Sequence, residues 1–89
     1  MYKVKIAEDV AEFIRGQTKK IQRQLHTKIK RLGKTPYPQN SIKLKGTTNL
    51  YRIVSGYYRI IYTVEHKKIT VLVLRIAHRK EVYKNLPQA

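Results

Sequence analysis

The sequence predicts an α+β fold: an N-terminal strand, a two-helix hairpin, then a three- to four-stranded antiparallel sheet with a short C-terminal helix. Three observations predict it. Apolar residues recur at helical spacing between residues 8 and 32. From residue 41 onward they follow a strand pattern instead. Ser55-Gly56 marks a tight hairpin between two of the later strands. Two helices then cover one face of the sheet.

Each element has its own signal. Residues 2–6 (YKVKI) alternate and read as the first strand. Residues 8–15 read as a helix, with Val10, Phe13 and Ile14 on one side. Its acids lie in the first turn, where the helix dipole favours them. Gly16 ends it. Thr18 is the predicted N-cap of a second helix that runs to about Leu32, with Gly33 as its stop. Its apolar stripe is Ile21, Leu25, Ile29 and Leu32. Pro36 and Pro38 make the next segment an irregular connector. Strands follow at 41–45, 50–54, 57–65 and 68–76, the last two joined by a tight turn at His66-Lys67. Residues 79–86 are read as a short terminal helix or a turn, stopped by Pro87.

The 89 residues suffice for one domain over 1–89 with one core. Apolar residues make up 42%, enough for a folded chain. There is no cysteine, which excludes disulfides, thiolate metal sites and a cysteine nucleophile. Glu8 and Asp9 interrupt the apolar start, so no signal peptide is read, and no run reaches the length of a membrane span. The expected location is cytoplasmic. Lys and Arg total 20 against 5 acids, a net charge of +15. Between Glu12 and Glu65 no acid occurs. Such an uncompensated surface selects nucleic acid or an acidic protein as its partner.

A two-residue loop at Ser55-Gly56 sets Val54 opposite Tyr57, Ile53 opposite Tyr58 and Arg52 opposite Arg59. Opposed residues share a face, so two arginines stand side by side. Either the pair holds an anion or both guanidiniums splay into water. Tyr51, Ile53, Tyr58, Ile60, Tyr62, Val71 and Val73 point to the helices. Leu50, Ile61, Leu72 and Leu74 share the arginine face. A partner covers that apolar patch, or the C-terminal segment does. Past the last strand come His78, Arg79, Lys80 and Tyr83: a proton-transfer group, phosphate clamps and a stacking ring. Lys43 and Lys45 add phosphate contacts from a neighbouring strand, or simply protect a sheet edge. No phosphate loop, metal cluster, nucleophile elbow or carboxylate pair is present, and no cofactor is expected.

Leu44-Lys45-Gly46, Leu50-Tyr51-Arg52-Ile53, the run from Gly56 through Tyr57-Tyr58-Arg59-Ile60-Ile61 to Tyr62, and His78-Arg79-Lys80-Glu81-Val82-Tyr83 resemble the RelE/ParE superfamily of toxins. The similarity spans nearly the whole chain and is specific in its C-terminal half. RelE-like members enter the ribosomal decoding site and cut mRNA: the ribose 2′-hydroxyl attacks its own phosphate. The resemblance implies that Arg59 and Arg79 stabilise the phosphate and that Tyr83 stacks on a base. Arg52 falls where the archetype has a lysine. A second archetypal lysine is Val54 here, so one candidate general base is missing. Arginine holds its proton at any ordinary pH, which leaves His78 to supply acid–base function or merely to orient the loop.

The expectation is a ribosome-dependent, metal-independent mRNA endoribonuclease, the toxin of a type II toxin–antitoxin pair. Its catalytic set is Arg52, Arg59, His78, Arg79 and Tyr83, with Lys43, Lys45, Arg52 and Lys80 binding RNA. Its partners are the ribosome, mRNA and an acidic antitoxin, with no membrane. The alternatives are a ParE-type inhibitor of DNA gyrase and a non-catalytic RNA- or ribosome-binding protein of the same fold.

Overall fold

In the computed structural model, which describes residues 1–47 and 49–86, the helical stripes and the strands form two layers. The order is β1 (Lys3–Ile6), α1 (Glu8–Arg15), α2 (Lys19–Lys34), β2 (Ile42–Lys43), β3 (Tyr51–Ser55), β4 (Tyr58–Glu65) and β5 (Thr70–His78). The sheet has five strands in the order β1-β5-β4-β3-β2. Four are antiparallel neighbours, while β1 joins the edge parallel to β5. The α+β class is as predicted; the sheet is one strand wider because the N-terminal strand pairs within it. The predicted stop at Pro87 lies outside the described residues.

Amphipathic spacing fixes the main core. Val10 and Ile14 of α1, and Leu25, Ile29 and Leu32 of α2, bury against Ile53, Ile60, Tyr62, Val71 and Val73. Thr18 caps α2 as predicted, its Oγ1 accepting the Ile21 N–H at 3.3 Å. Burial pushes the Tyr62 hydroxyl up to about 12. That hydroxyl donates to the Pro36 carbonyl at 2.7 Å, which ties the connector after α2 to the sheet.

Gly33 does not stop the helix, which continues to Lys34. Its carbonyl accepts the Tyr2 N–H at 2.8 Å. A Cβ there would stand 3.0 Å from the Tyr2 carbonyl oxygen and 3.2 Å from Val4 Cγ2. The missing side chain lets α2 approach β1. Gly33→Ala is therefore expected to destabilise by about 1–3 kcal/mol, against the roughly 1 kcal/mol that alanine gains in a helix. Urea unfolding measures the balance, and stability equal to the parent would show that β1 yields.

Other boundaries also move. The strand predicted over 41–45 is only Ile42–Lys43, because a turn containing Gly46 at φ +75° follows directly. The strand predicted over 50–54 is Tyr51–Ser55, and that predicted over 57–65 begins at Tyr58. A 3-10 turn (His66–Lys68) replaces the tight turn, and Ile69 takes φ +49° before β5 begins. So β5 runs Thr70–His78 rather than over 68–76, and His78 is its last residue. Residues 79–85 form turns, not a helix. Asn85 sits at φ +49°. The Arg75 guanidinium collects the carbonyls of Val82 at 3.1 Å, Lys84, and Asn85 at 2.6 Å.

That segment forms a second, smaller core. Val82 is fully buried with Leu50 and Ile61, and Leu44, Leu74, Ala77 and Leu86 pack around them. Of the two covers expected for the patch at Leu50, Ile61, Leu72 and Leu74, the C-terminal segment is the one seen, so Leu50 and Ile61 are not exposed. The C-terminal segment covers Leu50 and Ile61, and Leu72 and Leu74 are half-buried.

Candidate functional site

The β3–β4 turn sets the geometry of the site. Ser55 pairs with Tyr58, so the turn residues are Gly56 and Tyr57. Gly56 has φ +61° and Tyr57 does not have positive φ, the pattern of a type II′ turn. Arg52 then faces Ile61, and Arg59 faces Val54. The predicted Arg52–Arg59 cross-strand pair does not form. A slip of two keeps every residue on its predicted face, because side chains alternate with period two. The two arginines therefore still share a face as diagonal neighbours, for which such residues stand about 7–8 Å apart. That spacing lowers their mutual repulsion and leaves room for an anion between them.

A β-bulge re-aims the neighbouring strand. Tyr62 faces Val73 but Ile61 faces Arg75, so Leu74 is the extra residue on β5. Without it Arg75 would share a face with Val73, in the core. With it Arg75 stands opposite Ile61, where it grips the carbonyls of the C-terminal segment. The apolar run around Arg75 hides this role in the sequence; only a bulge in β5 would have signalled it.

Around the turn the planar groups gather. Arg59 Nη1 donates to the Gly56 carbonyl at 3.1 Å and the Tyr58 carbonyl at 3.2 Å. The Arg79 N–H donates to the Tyr57 carbonyl at 2.8 Å. This extends the β4–β5 ladder by one pair. The Arg79 guanidinium carbon lies 5.6 Å from the Tyr57 ring centroid. The His78 ring is nearly parallel to Tyr57, at 12° with centroids 6.1 Å apart. His78 Nδ1 accepts the Lys80 N–H at 3.3 Å. In the neutral ring the proton then sits on Nε2, which can donate a hydrogen bond.

The structure brings His78 and Arg79 to the Tyr57 ring and Arg59 to the carbonyls on either side of it; by register His78 pairs with Tyr58, toward the helix side of the sheet, while Arg59 lies on the opposite face. Arg52 shares the Arg59 face. Lys80 and Tyr83 are exposed on the C-terminal segment, either side of the Glu81–Val82 step whose valine is buried. Lys43 is not brought in: it faces Tyr51, on the helix side of the sheet. Lys45 is exposed in the connection after β2. Sequence reasoning missed Tyr57, because placing the loop at Ser55-Gly56 put it inside a strand.

The site's charge is uncompensated. Among the described residues the ion pairs are Arg15–Glu8, Lys68–Glu65 and Lys84–Glu81, all at the surface. Among the described residues Arg52, Arg59, Arg75 and Arg79 have no carboxylate partner. A second basic surface lies on the helix side. Lys20, Arg23 and Lys28 of α2 line a groove of about 420 Å³ with Ser55 and Gly56 of the turn. Among the described residues no group of three or more His, Cys, Asp or Glu could hold a metal ion, and no helix is long and apolar enough to cross a membrane.

The family model for the ParE toxin of the type II toxin–antitoxin system parDE matches residues 4–83. The chain thus belongs to the RelE/ParE superfamily of type II toxins. It is similar to a chain of the archaeal RelE–RelB complex from Pyrococcus horikoshii OT3, at 32% identity and TM-score 0.79, covering 90% of this chain and 97% of that one. It also resembles the isolated E. coli RelE toxin at 28% identity and TM-score 0.76, over 93% and 92% of the two chains. A chain of the intact E. coli RelBE toxin–antitoxin complex matches at 26% identity and TM-score 0.75, over 88% and 96%. No curated protein matches.

Proposed function

We propose that this toxin, one domain over residues 1–89, is an endoribonuclease that cuts mRNA on the ribosome. The observation that carries the proposal is the gathering of Arg59, Arg79 and His78 at one hairpin turn, with no carboxylate beside the arginines. Cations left unpaired at a rigid turn are suited to a phosphate whose charge rises during reaction. The ribose 2′-oxygen attacks the adjacent phosphorus, its proton passing to water, and the 5′-oxygen leaves and takes up a proton, giving a cyclic phosphate and a 5′-hydroxyl. Arg59 and Arg79 stabilise the extra negative charge, and Arg52 clamps a neighbouring phosphate. His78 in its imidazolium form gives a proton to the departing 5′-oxygen and regains one from water. Tyr83 stacks on a base. Lys80 and the basic face of α2 hold ribosomal or messenger phosphates. With no cysteine and only five acids, the chain has a poor donor set for a resident metal, and the chemical step is assigned to side chains alone.

The partner proposed in the resting state is an antitoxin, supported by the RelE–RelB and RelBE complexes of the similar proteins, and the charge of this chain calls for an acidic one. Acting on ribosomes places the toxin in the cytoplasm. The matched family model favours a second reading, a poison of DNA gyrase. Purified protein added to a translating extract separates the two. The expected result is cut message within ribosome-bound mRNA. Gyrase-linked DNA breaks with intact message would reverse the assignment.

A further inference from the structure

We propose that Tyr57 is a nucleobase-stacking platform that takes an unpaired base of single-stranded RNA, separate from Tyr83. The proposal rests on the RNA-binding part of the function above. Tyr57 is 65% exposed, more than Tyr83 at 44% or Tyr37 at 42%. Small and polar residues are the ordinary choice at a turn, so packing does not call for a large ring here. The Tyr57 backbone is nonetheless held firmly. Its carbonyl takes the Arg79 N–H, and its turn neighbours' carbonyls take Arg59 Nη1. A large aromatic side chain that buries little and sits on a fixed backbone is built to meet something flat.

The surroundings specify what that is. His78 lies parallel to the ring and the Arg79 guanidinium lies over it, so two planar groups already stack with Tyr57. A base laid on the exposed part of the ring extends that stack. Arg59 and Arg79 stand ready for the phosphates on either side of it. Any base has a π face, so the platform tolerates sequence. Duplex bases are already stacked on each other, which selects a single strand. A protein partner is disfavoured because the turn offers cations and one ring rather than an apolar groove.

The test uses the whole protein and a roughly ten-nucleotide RNA carrying 2-aminopurine at one position at a time. Fluorescence anisotropy at low salt reads affinity, and 2-aminopurine quenching reads stacking. Tyr57→Ala should weaken binding about tenfold and abolish quenching at one position. Tyr57→Phe should keep both. Unchanged binding and quenching in the alanine variant would overturn the proposal. So would a phenylalanine variant as weak as alanine, or a parent protein that neither binds nor quenches. Failure of the nuclease assignment is read separately. An extract with uncut message, together with Tyr57-dependent quenching, leaves the platform standing. Cut message with Tyr57-independent binding removes the platform and leaves the nuclease.

Discussion

Arg59→Ala and Arg79→Ala should each lose about a hundred- to thousandfold in cleavage rate and fail to arrest growth when expressed in cells. Both guanidiniums are placed before substrate arrives. Arg79 lies over Tyr57, and Arg59 is pinned through Nη1 alone, which leaves Nη2 and Nε free for a phosphate. Neither has a carboxylate to leave unpaired on truncation. Thermal unfolding should therefore move little, since the carbonyls released by Arg59 lie at an exposed turn. Lysine at either position keeps the charge but loses the planar fork, so it should restore only part of the rate. The measurement is cleavage in a translating extract, with far-UV circular dichroism as the control. Full toxicity in both alanine variants would remove these arginines from the site.

The sequence makes the layers legible and the register less so. Helical stripes in α1 and α2 and alternation in β3 and β4 name the residues of the main core, because burial acts on every turn and every second residue. The faces of Arg52 and Arg59 survive a wrong register for the same reason. What periodicity cannot show is an interruption. The bulge at Leu74 re-aims Arg75, and the 3-10 turn with Ile69 at positive φ shifts β5 by two residues. Gly33 reads as a stop because glycine ends many helices, but here a neighbouring strand needs the space. The cover over Leu50 and Ile61 depends on a guanidinium reaching three carbonyls from another element. No local pattern in residues 79–86 encodes that reach. The resemblance names Arg59 and Arg79; it does not show that Arg79 reaches Tyr57 or that Arg59 grips the carbonyls on either side of it, because both follow from the turn residues.

Arg75→Ala should release the C-terminal segment while the main core stays folded. Hydrogen bonds to a charged donor contribute about 1.5–3 kcal/mol each when shielded. Here the Lys84 and Asn85 carbonyls belong to exposed residues, so the whole clamp is worth roughly 2 kcal/mol locally. A loss of that size raises the opening of the segment by about thirtyfold. Val82 and Leu86 then leave Leu50 and Ile61, which become open to water. Amide exchange should speed up across residues 79–86 and at Leu50, with α2 and β5 still protected. Toxicity should fall as well, because Arg79 and Tyr83 lose their placement with the segment. The same change should help the proposed antitoxin. If its acidic, amphipathic segment binds the apolar face beneath the cover, the parent must first open, and its apparent affinity is lowered by the fraction open. The variant is already open more often, so it should bind the antitoxin more tightly and in a salt-dependent manner. Equal affinity in parent and variant, with exchange faster in the variant, would show that the antitoxin binds beside a closed cover instead.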